Sequence, residues 1–249
     1  MTYAKAFFDL QLRFAHRTAD LSGRPIACVL LDYTNFYARF GLGRGFDLAH
    51  PIWRKYLAGL QHASDPGEWT YRFYLERQES LEAPGVAASH GCFAFAPLDG
   101  NRIRLHFRNA ETDGRSPLGI DRRGRRLAEL AALFEHVRRT APEPPRVVGA
   151  SWLYNVDAYR RLFPPAYLAS GRVLADRFRH MPLWGQFLDR RGELRERATR
   201  EFLERLGRLA AFDTLHDCFP LQVLTVEAPA QAFYEFYGLD IPPRDHLAR

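Results

Sequence analysis

The chain has few cysteines, and it lacks long apolar runs. Cys28, Cys92 and Cys218 are odd in number, far apart and without a CxxC pair, which favours a reducing compartment over a disulfide framework. No apolar run approaches the ~18 residues that a membrane span needs, and the first residues contain Asp9 and no cleavage pattern. We therefore expect a soluble, cytoplasmic protein without a membrane partner.

Metal-binding motifs and lysine are also scarce. The nine histidines form no HxxxH or HExxH pair, so the sequence predicts no metal site. Of 35 basic residues, only Lys5 and Lys55 are lysines. The net charge of +6 makes nucleic acid a possible partner, because clustered cations attract phosphates. The dominance of arginine, together with abundant alanine and leucine, instead indicates the codon usage of a GC-rich bacterial genome, so nucleic acid is not the favoured partner.

One segment, residues 192–211, concentrates charges of both signs. Four glutamates each precede an arginine by four residues, which is the favourable order for ion pairs along a helix. These glutamates are Glu193, Glu196, Glu201 and Glu204, and their partners are Arg197, Arg200, Arg205 and Arg208. The pattern predicts a solvated helix face rather than a binding surface.

The first part of the chain, residues 1–64, has helical periodicity. Phe7, Leu10 and Phe14 form one apolar stripe, and further helices are expected after Pro25 and from about Pro51. As an alternative, the segment IACVLLD is a strand, and the following DYTN then resembles the start of PIN-like nucleases. The additional acidic residues that a two-metal centre needs are not recognisable.

From residue 69 the apolar period changes to two. The segments TYRFYLER, GCFAFA and RIRLHFR are predicted strands, and Asp99-Gly100 joins the last two in a hairpin. In the last strand, Ile103, Leu105 and Phe107 should face a core. Its other face then carries the polar side chains of Arg102, Arg104, His106 and Arg108.

Helices and strands alternate in the rest of the chain. We expect a helix over 121–139, a buried strand over 146–154, a short helix capped by Asn155, the charged helix, and a last strand and helix. The fold class is therefore α+β. We expect one domain over residues 1–249, with a mostly helical part (1–64) and a mixed part (65–249).

Two groups of residues are candidates for a site. His106 lies between Arg104 and Arg108 on one strand face, and these positive neighbours favour the neutral imidazole, which can accept a proton. Glu111 follows the end of that strand and is a second candidate base. The other group lies in GASWLYN, where small residues precede aromatic and polar ones, as in small-molecule sites. The candidate substrate-binding residues are Ser151, Trp152, Tyr154 and Asn155 of this group, together with Arg104 and Arg108 beside His106.

The order of hairpin, helix, strand and short helix over residues 91–163 resembles the central part of the acyl-CoA-dependent N-acyltransferases of the GNAT superfamily. In that family a glycine-containing loop and the following helix hold the coenzyme pyrophosphate. DRRGRRLAEL corresponds to this loop, with Gly124 at one glycine position and arginine at the position where the family has glycine or alanine. The resemblance implies coenzyme A as cofactor. It would be bound by Arg122, Arg123, Gly124, Arg125 and Arg126.

The resemblance also extends to shorter motifs. NVDA contains Asn155 and Ala158 of the family's Asn-x-x-Ala helix, and FYEFYGL is similar to its terminal FYxxxGF. Our leading hypothesis is a small-molecule enzyme that transfers an acyl group from a coenzyme A thioester to an amine. The alternative is a non-catalytic, arginine-rich protein that binds an anionic partner, either a protein or a nucleic acid. The sequence does not indicate the oligomeric state.

Overall fold

The computed structural model describes residues 2–43, 45–77 and 86–239, and over these residues it contains ten α-helices and six strands. The fold class is α+β, as predicted. The chain divides into a helical unit, from the described residues of 1–84 and 174–223, and a mixed unit, from those of 85–173 and 224–249. The expectation of a single domain stays a prediction.

The helical unit contains six α-helices and two 3₁₀ helices, at Met181–Phe187 and Phe212–Cys218. The α-helices are α1 (Lys5–Ser22), α2 (Ile26–Tyr33), α3 (Phe36–Arg39), α4 (Pro51–His62), α5 (Pro66–Glu76) and α9 (Glu196–Arg208). Aromatic side chains dominate the core of this unit. Phe40 packs on Tyr56 with ring centres 4.8 Å apart, and Phe14 lies against Trp184 at 5.4 Å. Buried aromatic rings contribute large apolar areas and favour tilted contacts of this kind.

Two strand assignments made from the sequence of this unit are wrong. TYRFYLER lies in α5, whose start is fixed by Pro66 and by the Asp65 side chain, which accepts a hydrogen bond from the Glu68 amide at 2.9 Å. Its buried residues include Thr70, Phe73 and Tyr74, a spacing that suits a helix. IACVLLD is α2, so the alternative strand before DYTN is also wrong.

The mixed unit is a six-stranded sheet with helices. Its strands are β1 (Ala88–His90), β2 (Phe93–Leu98), β3 (Arg102–Phe107), β4 (Arg146–Ser151), β5 (Arg172–Val173) and β6 (Leu224–Pro229), in the order β1-β2-β3-β4-β6-β5. Its helices are α6 (Arg123–Thr140), α7 (Asp157–Arg160), α8 (Pro165–Ala169) and α10 (Ala230–Phe236). β3 and β4 are parallel, and the other four pairings are antiparallel.

The predicted β2–β3 hairpin and its two faces are confirmed. Gly100 and Asn101 have positive φ in the turn, and Phe95 lies opposite Leu105. Ile103 and Leu105 belong to the core, where they are joined by Leu130, Leu133 and Phe134 of α6. His106, opposite Ala94, lies on the other face of the sheet.

Candidate functional site

The two parallel strands separate at their carboxyl ends. β3 and β4 pair only at residues 102–104 and 146–148, although both strands are described throughout. β2 pairs with β3 over its whole length, through residue 107, and β6 pairs with β4 through residue 151. α6 connects the end of β3 to the start of β4, so the start of α6 and the end of β4 lie at one edge of the sheet. Sheets with parallel strands commonly bind ligands at this edge.

Tyrosines occupy the space beside the end of β4. Gly149 is one of the small residues of GASWLYN, and a Cβ at that position would collide with the hydroxyl groups of Tyr154 and Tyr167. These two hydroxyls lie 2.9 Å apart in a hydrogen bond. Burial raises the pKa of Tyr154 and of Tyr167 well above the usual range, so both stay protonated. The small residue at 149 therefore accommodates the protein's own side chains.

An open groove of about 610 Å³ lies between the start of α6 and helices α7 and α8. We call it the arginine groove, because Arg123, Arg160 and Arg161 line it together with a single acidic residue, Asp157. Its apolar lining includes Phe163 and the exposed Phe236. The groove combines positive charge with apolar surface, which suits a ligand that carries an anionic group and an apolar group.

The arginines of the groove keep donor groups for a ligand. Arg161 donates to the carbonyl of Leu118 at 2.8 Å, and Arg160 makes a long contact of 3.5 Å with the carbonyl of Tyr154. Within the described residues, no ion pair involves these two or Arg123. A guanidinium has five N–H donors, so each of the three can still bind an anion.

The other arginines at the start of α6 form a buried ion-pair cluster. Arg126 is 1% exposed and donates to Glu111 at 2.7 Å and to Glu129 at 2.6 Å. Arg122 pairs with Glu111 and with Asp113. Arg126 also contacts the sulfur of Cys92. We call these residues the α6 clasp, because they attach the loop after β3 and the turn before β2 to α6.

The α6 clasp engages some of the predicted coenzyme-binding residues and leaves the others open to a ligand. Arg122 and Arg126 are held by carboxylates, and Arg125, which is 64% exposed, makes contacts of 3.4 Å with Glu111 and Glu129. Arg123 and Gly124 are exposed, and a Cβ added to Gly124 would meet no atom within 4 Å. The open positions for a phosphate at this helix start are therefore Arg123, Gly124 and, in part, Arg125.

The two candidate bases lie in different surroundings. Glu111 accepts hydrogen bonds from Arg122, Arg125 and Arg126, and Arg122 contributes most to holding the pKa of Glu111 below its usual value. A carboxylate held in this way is a weak base. His106 is half-buried and lies between Arg104 and Arg108 on its strand, one residue before the end of β3. Arg108 donates to the hydroxyl of Ser89 at 3.3 Å.

The second candidate group has local structural roles. The Ser151 hydroxyl accepts the Leu153 amide at 3.1 Å at the start of the 3₁₀ helix Trp152–Asn155. The Asn155 side chain donates to the Trp152 carbonyl at 2.9 Å. Tyr154 is buried against Tyr167, and the Trp152 side chain is half-buried. Within the described part of the chain, Trp152 is the one of the four whose side chain makes no hydrogen bond, so we retain it as a candidate ligand contact.

Sequence reasoning missed three residues of the arginine groove. Arg160 and Arg161 occur in AYRRLF, within the predicted short helix after a strand, and Phe236 lies in the predicted last helix. Two adjacent arginines at the end of a short helix that follows a parallel strand are a signal for the ligand-binding edge of the sheet. The signal becomes readable once β3 and β4 are known to be parallel.

No helix in the described ranges has the length and apolar character needed to cross a bilayer. Within those same ranges, no three or more His, Cys, Asp or Glu side chains are grouped so that they could hold a metal ion. Comparisons with models of protein families, with curated proteins and with solved structures give no match for this chain.

Proposed function

We propose that this protein transfers an acyl group from a coenzyme A thioester to an amine. The observation that carries the proposal is the position of the arginine groove, at the carboxyl-end edge of the parallel strands β3 and β4. It lies beside the start of α6, in the strand-loop-helix-strand order that resembles the GNAT superfamily. One ligand that carries an anionic group and an apolar group would account for both the charge and the apolar lining of this groove.

The residues of the groove fit a phosphate-bearing coenzyme. Arg123 would neutralise phosphate charge at the start of α6, where no acidic side chain occupies the first helical turn. The open space at Gly124 would allow a ligand to approach the helix backbone. When bound, coenzyme A supplies an acyl group activated as a thioester. The α6 clasp would keep the loop after β3 in place beside the groove.

We assign the role of general base to His106 rather than to Glu111. Since His106 lies on the sheet face opposite α6, the acyl arm of the coenzyme would reach it between the separated ends of β3 and β4. A ring nitrogen of His106 would accept a proton from the attacking amine, whereas the Glu111 carboxylate is engaged by three arginines. Arg104 and Arg108 flank His106 on the same strand face and would repel an ammonium group, which favours the neutral amine. Trp152 would contribute an apolar contact to the substrate.

The first test adds one negative charge at the start of α6. Gly124→Glu should leave the fold as stable or more stable, because glutamate suits a helix start and glycine weakens a helix. The same carboxylate should repel phosphates and lower the affinity for coenzyme A at least tenfold. Ala128→Glu is the matched control, since Ala128 is exposed on the same helix one turn later.

The measurement is calorimetric titration, supported by thermal shift, in which a ligand at 100 times its Kd adds ~2.7 kcal/mol of stability. Absence of coenzyme A binding to the unchanged protein would overturn the proposal, as would equal binding by the two glutamate variants. A screen of amines with acetyl-CoA then tests the reaction. His106→Gln should retain coenzyme A affinity and lower kcat by about 10²- to 10⁴-fold.

A second candidate function is binding of an anionic macromolecule. One face of the sheet carries Arg102, Arg146 and Arg172, and the last two share Glu227 at 3.4 Å and 3.8 Å. Such a surface would bind nucleic acid with an affinity that falls steeply as salt increases. Replacing the three arginines by glutamate separates the two functions, because acyl transfer should tolerate this change and macromolecular binding should not.

A further inference from the structure

We infer that the arginine groove binds the nucleotide end of the coenzyme, with Arg160 and Arg161 at the end of α7 holding phosphate and Phe236 contacting the base. This inference rests on the proposed function and names how that same site recognises its ligand. It differs from the expectation drawn from the sequence, which assigned the phosphate contacts to the arginines from Arg122 to Arg126.

The charges of the groove support a phosphate ligand. Arg123, Arg160 and Arg161 outnumber Asp157, the acidic residue of the lining, so the groove has a surplus of positive charge. Arginine binds phosphate through two parallel N–H donors, which gives both attraction and orientation. The carbonyl of Leu118, 2.8 Å from Arg161, holds this guanidinium in place before a ligand arrives.

The acids of the α6 clasp explain why the end of α7 supplies the phosphate contacts. Glu111, Asp113 and Glu129 neutralise Arg122 and Arg126, whose side chains are only 11% and 1% exposed. A phosphate could reach these guanidinium groups only by breaking the α6 clasp. Arg160 and Arg161 come from the helix that follows β4, and they face the groove without a carboxylate partner among the described residues.

The apolar part of the groove supports an aromatic base. Phe236, at the end of α10, is 41% exposed, which is unusual for a large aromatic side chain in this protein. It lines the groove together with Phe163, which is buried at 2% exposure. An exposed aromatic ring next to arginines is a surface on which a nucleobase can stack. The volume of about 610 Å³ falls within the range of small-molecule sites.

The experiment uses adenosine 3′,5′-bisphosphate, which carries the base and phosphates of coenzyme A without its thiol arm. Calorimetric titration compares the unchanged protein with Arg160→Gln, with Arg160→Gln combined with Arg161→Gln, and with Phe236→Ala. Arg172→Gln is the control, because Arg172 is 78% exposed in the same unit and lies outside the groove. Circular dichroism and thermal melting confirm that each variant folds.

We expect the bisphosphate to bind the unchanged protein and the control alike. Affinity should fall about tenfold for the single arginine variant, further for the double variant, and several-fold for Phe236→Ala. Pantetheine, which lacks the base and the phosphates, should bind equally to all of these proteins. Adenosine, which lacks phosphates, should bind equally to the arginine variants and less tightly to Phe236→Ala. If the double variant fails to fold because the contact of Arg161 with Leu118 is lost, Arg160→Gln alone still tests the inference.

The outcomes separate this inference from the proposed function. If coenzyme A binds but the arginine variants keep full affinity for the bisphosphate, the groove assignment is overturned and acyl transfer stands. If coenzyme A does not bind the unchanged protein, both are overturned. Tighter binding of a single-stranded oligonucleotide than of the bisphosphate, lost in the same variants, would also overturn the inference.

Discussion

His180 is a histidine in an aromatic environment that is 1% exposed. The rings of Tyr33, Phe14 and Phe219 surround it at 5.0, 5.8 and 5.7 Å, and neither of its nitrogens has a hydrogen-bond partner among the described residues. Burial lowers the pKa of His180 to about 3, and the nearby charges of Arg179 and His216 act in the same direction. The folded helical unit therefore holds this imidazole neutral.

The buried imidazole predicts a loss of stability in acid. In the unfolded chain this histidine takes up a proton near its ordinary pKa of about 6.5, whereas in the folded protein it stays neutral. The free energy of unfolding is therefore unaffected by His180 above that pH, and it decreases as the pH falls from 6.5 toward 3. At pH 5 the loss is about 2 kcal/mol. His180→Phe should remove this loss of stability in acid. It should also raise stability at pH 7, because an unpaired polar group is replaced by an apolar one.

Urea unfolding at pH 7 and pH 5 checks this expectation for the unchanged protein and for His180→Phe. The stability difference between the two proteins should grow at the lower pH. A difference that stays constant between pH 7 and pH 5 would show that His180 does not titrate in this way. His62→Phe serves as a control for histidine removal, because His62 is exposed at the end of α4.

At the level of single residues, the sequence predicted which side chains lie near the sheet edge better than it predicted their partners. Arg122 and Arg126 were correctly placed at a helix start, but their burial depends on Glu111 and Glu129, which lie 11 and 3 residues away from them. Periodicity identifies a face of a helix. It does not show which acid from another element reaches that face, because this depends on tertiary packing.

At the level of an element, the conformation of the turn between β1 and β2 depends on one glycine and one acid. Gly91 has φ +57°, and a Cβ at this position would collide with the carboxylate of Glu129. The same carboxylate accepts the Cys92 amide at 3.0 Å and pairs with Arg126. A single acid on α6 thus fixes a strand connection, and glycine is required for both the backbone conformation and the close approach.

Gly91→Ala should therefore destabilise the protein more than an equivalent change elsewhere. The left-handed conformation alone costs an alanine about 1–2 kcal/mol, and the collision with Glu129 adds to it. Gly100→Ala is the matched control, because Gly100 has φ +72° and only Arg102 nearby, at 4.0 Å. Chemical denaturation gives the difference between the two variants. Equal losses would mean that the Glu129 contact contributes nothing.

Element predictions succeeded where local signals agreed and failed where two periods overlapped. The Asp-Gly turn and the alternating residues of β3 both indicated a hairpin, which the structure contains. In α5, aromatic residues at alternate positions imitate a strand, while Asp65 and Pro66 carry the helix-start signal. The charged helix spans Glu196–Arg208, so Glu193 lies before its first turn and the predicted pair with Arg197 does not form along it.

At the scale of the molecule, the two units are interleaved along the chain. The helical unit combines residues before 85 with residues 174–223, and the mixed unit combines residues 85–173 with those after 223. β6 pairs with both β4 and β5, although both precede it in sequence by at least 50 residues. The sheet of the mixed unit is therefore incomplete until β6 is in place.

Because β6 completes the sheet, we expect a polar substitution at a buried position of β6 to destabilise residues 86–173, which precede it in sequence. Val226 is 3% exposed in the core of the mixed unit. An unpaired neutral polar group there costs on the order of 2–7 kcal/mol, and an ionised carboxylate costs more. Val226→Asp should increase hydrogen exchange and protease cleavage within residues 86–173. Thr225→Asp, on the opposite face of the same strand, should not. Unchanged protection of 86–173 in Val226→Asp would contradict this role for β6.

The interleaving also limits how this protein can evolve. A continuous stretch of gene that encodes the groove residues from Arg123 to Arg161 lacks β6 and Phe236, and a stretch that adds them includes part of the helical unit. Recombination that copies one uninterrupted piece cannot transfer either unit alone in complete form. We therefore expect the two units to be transferred together and to accumulate substitutions together.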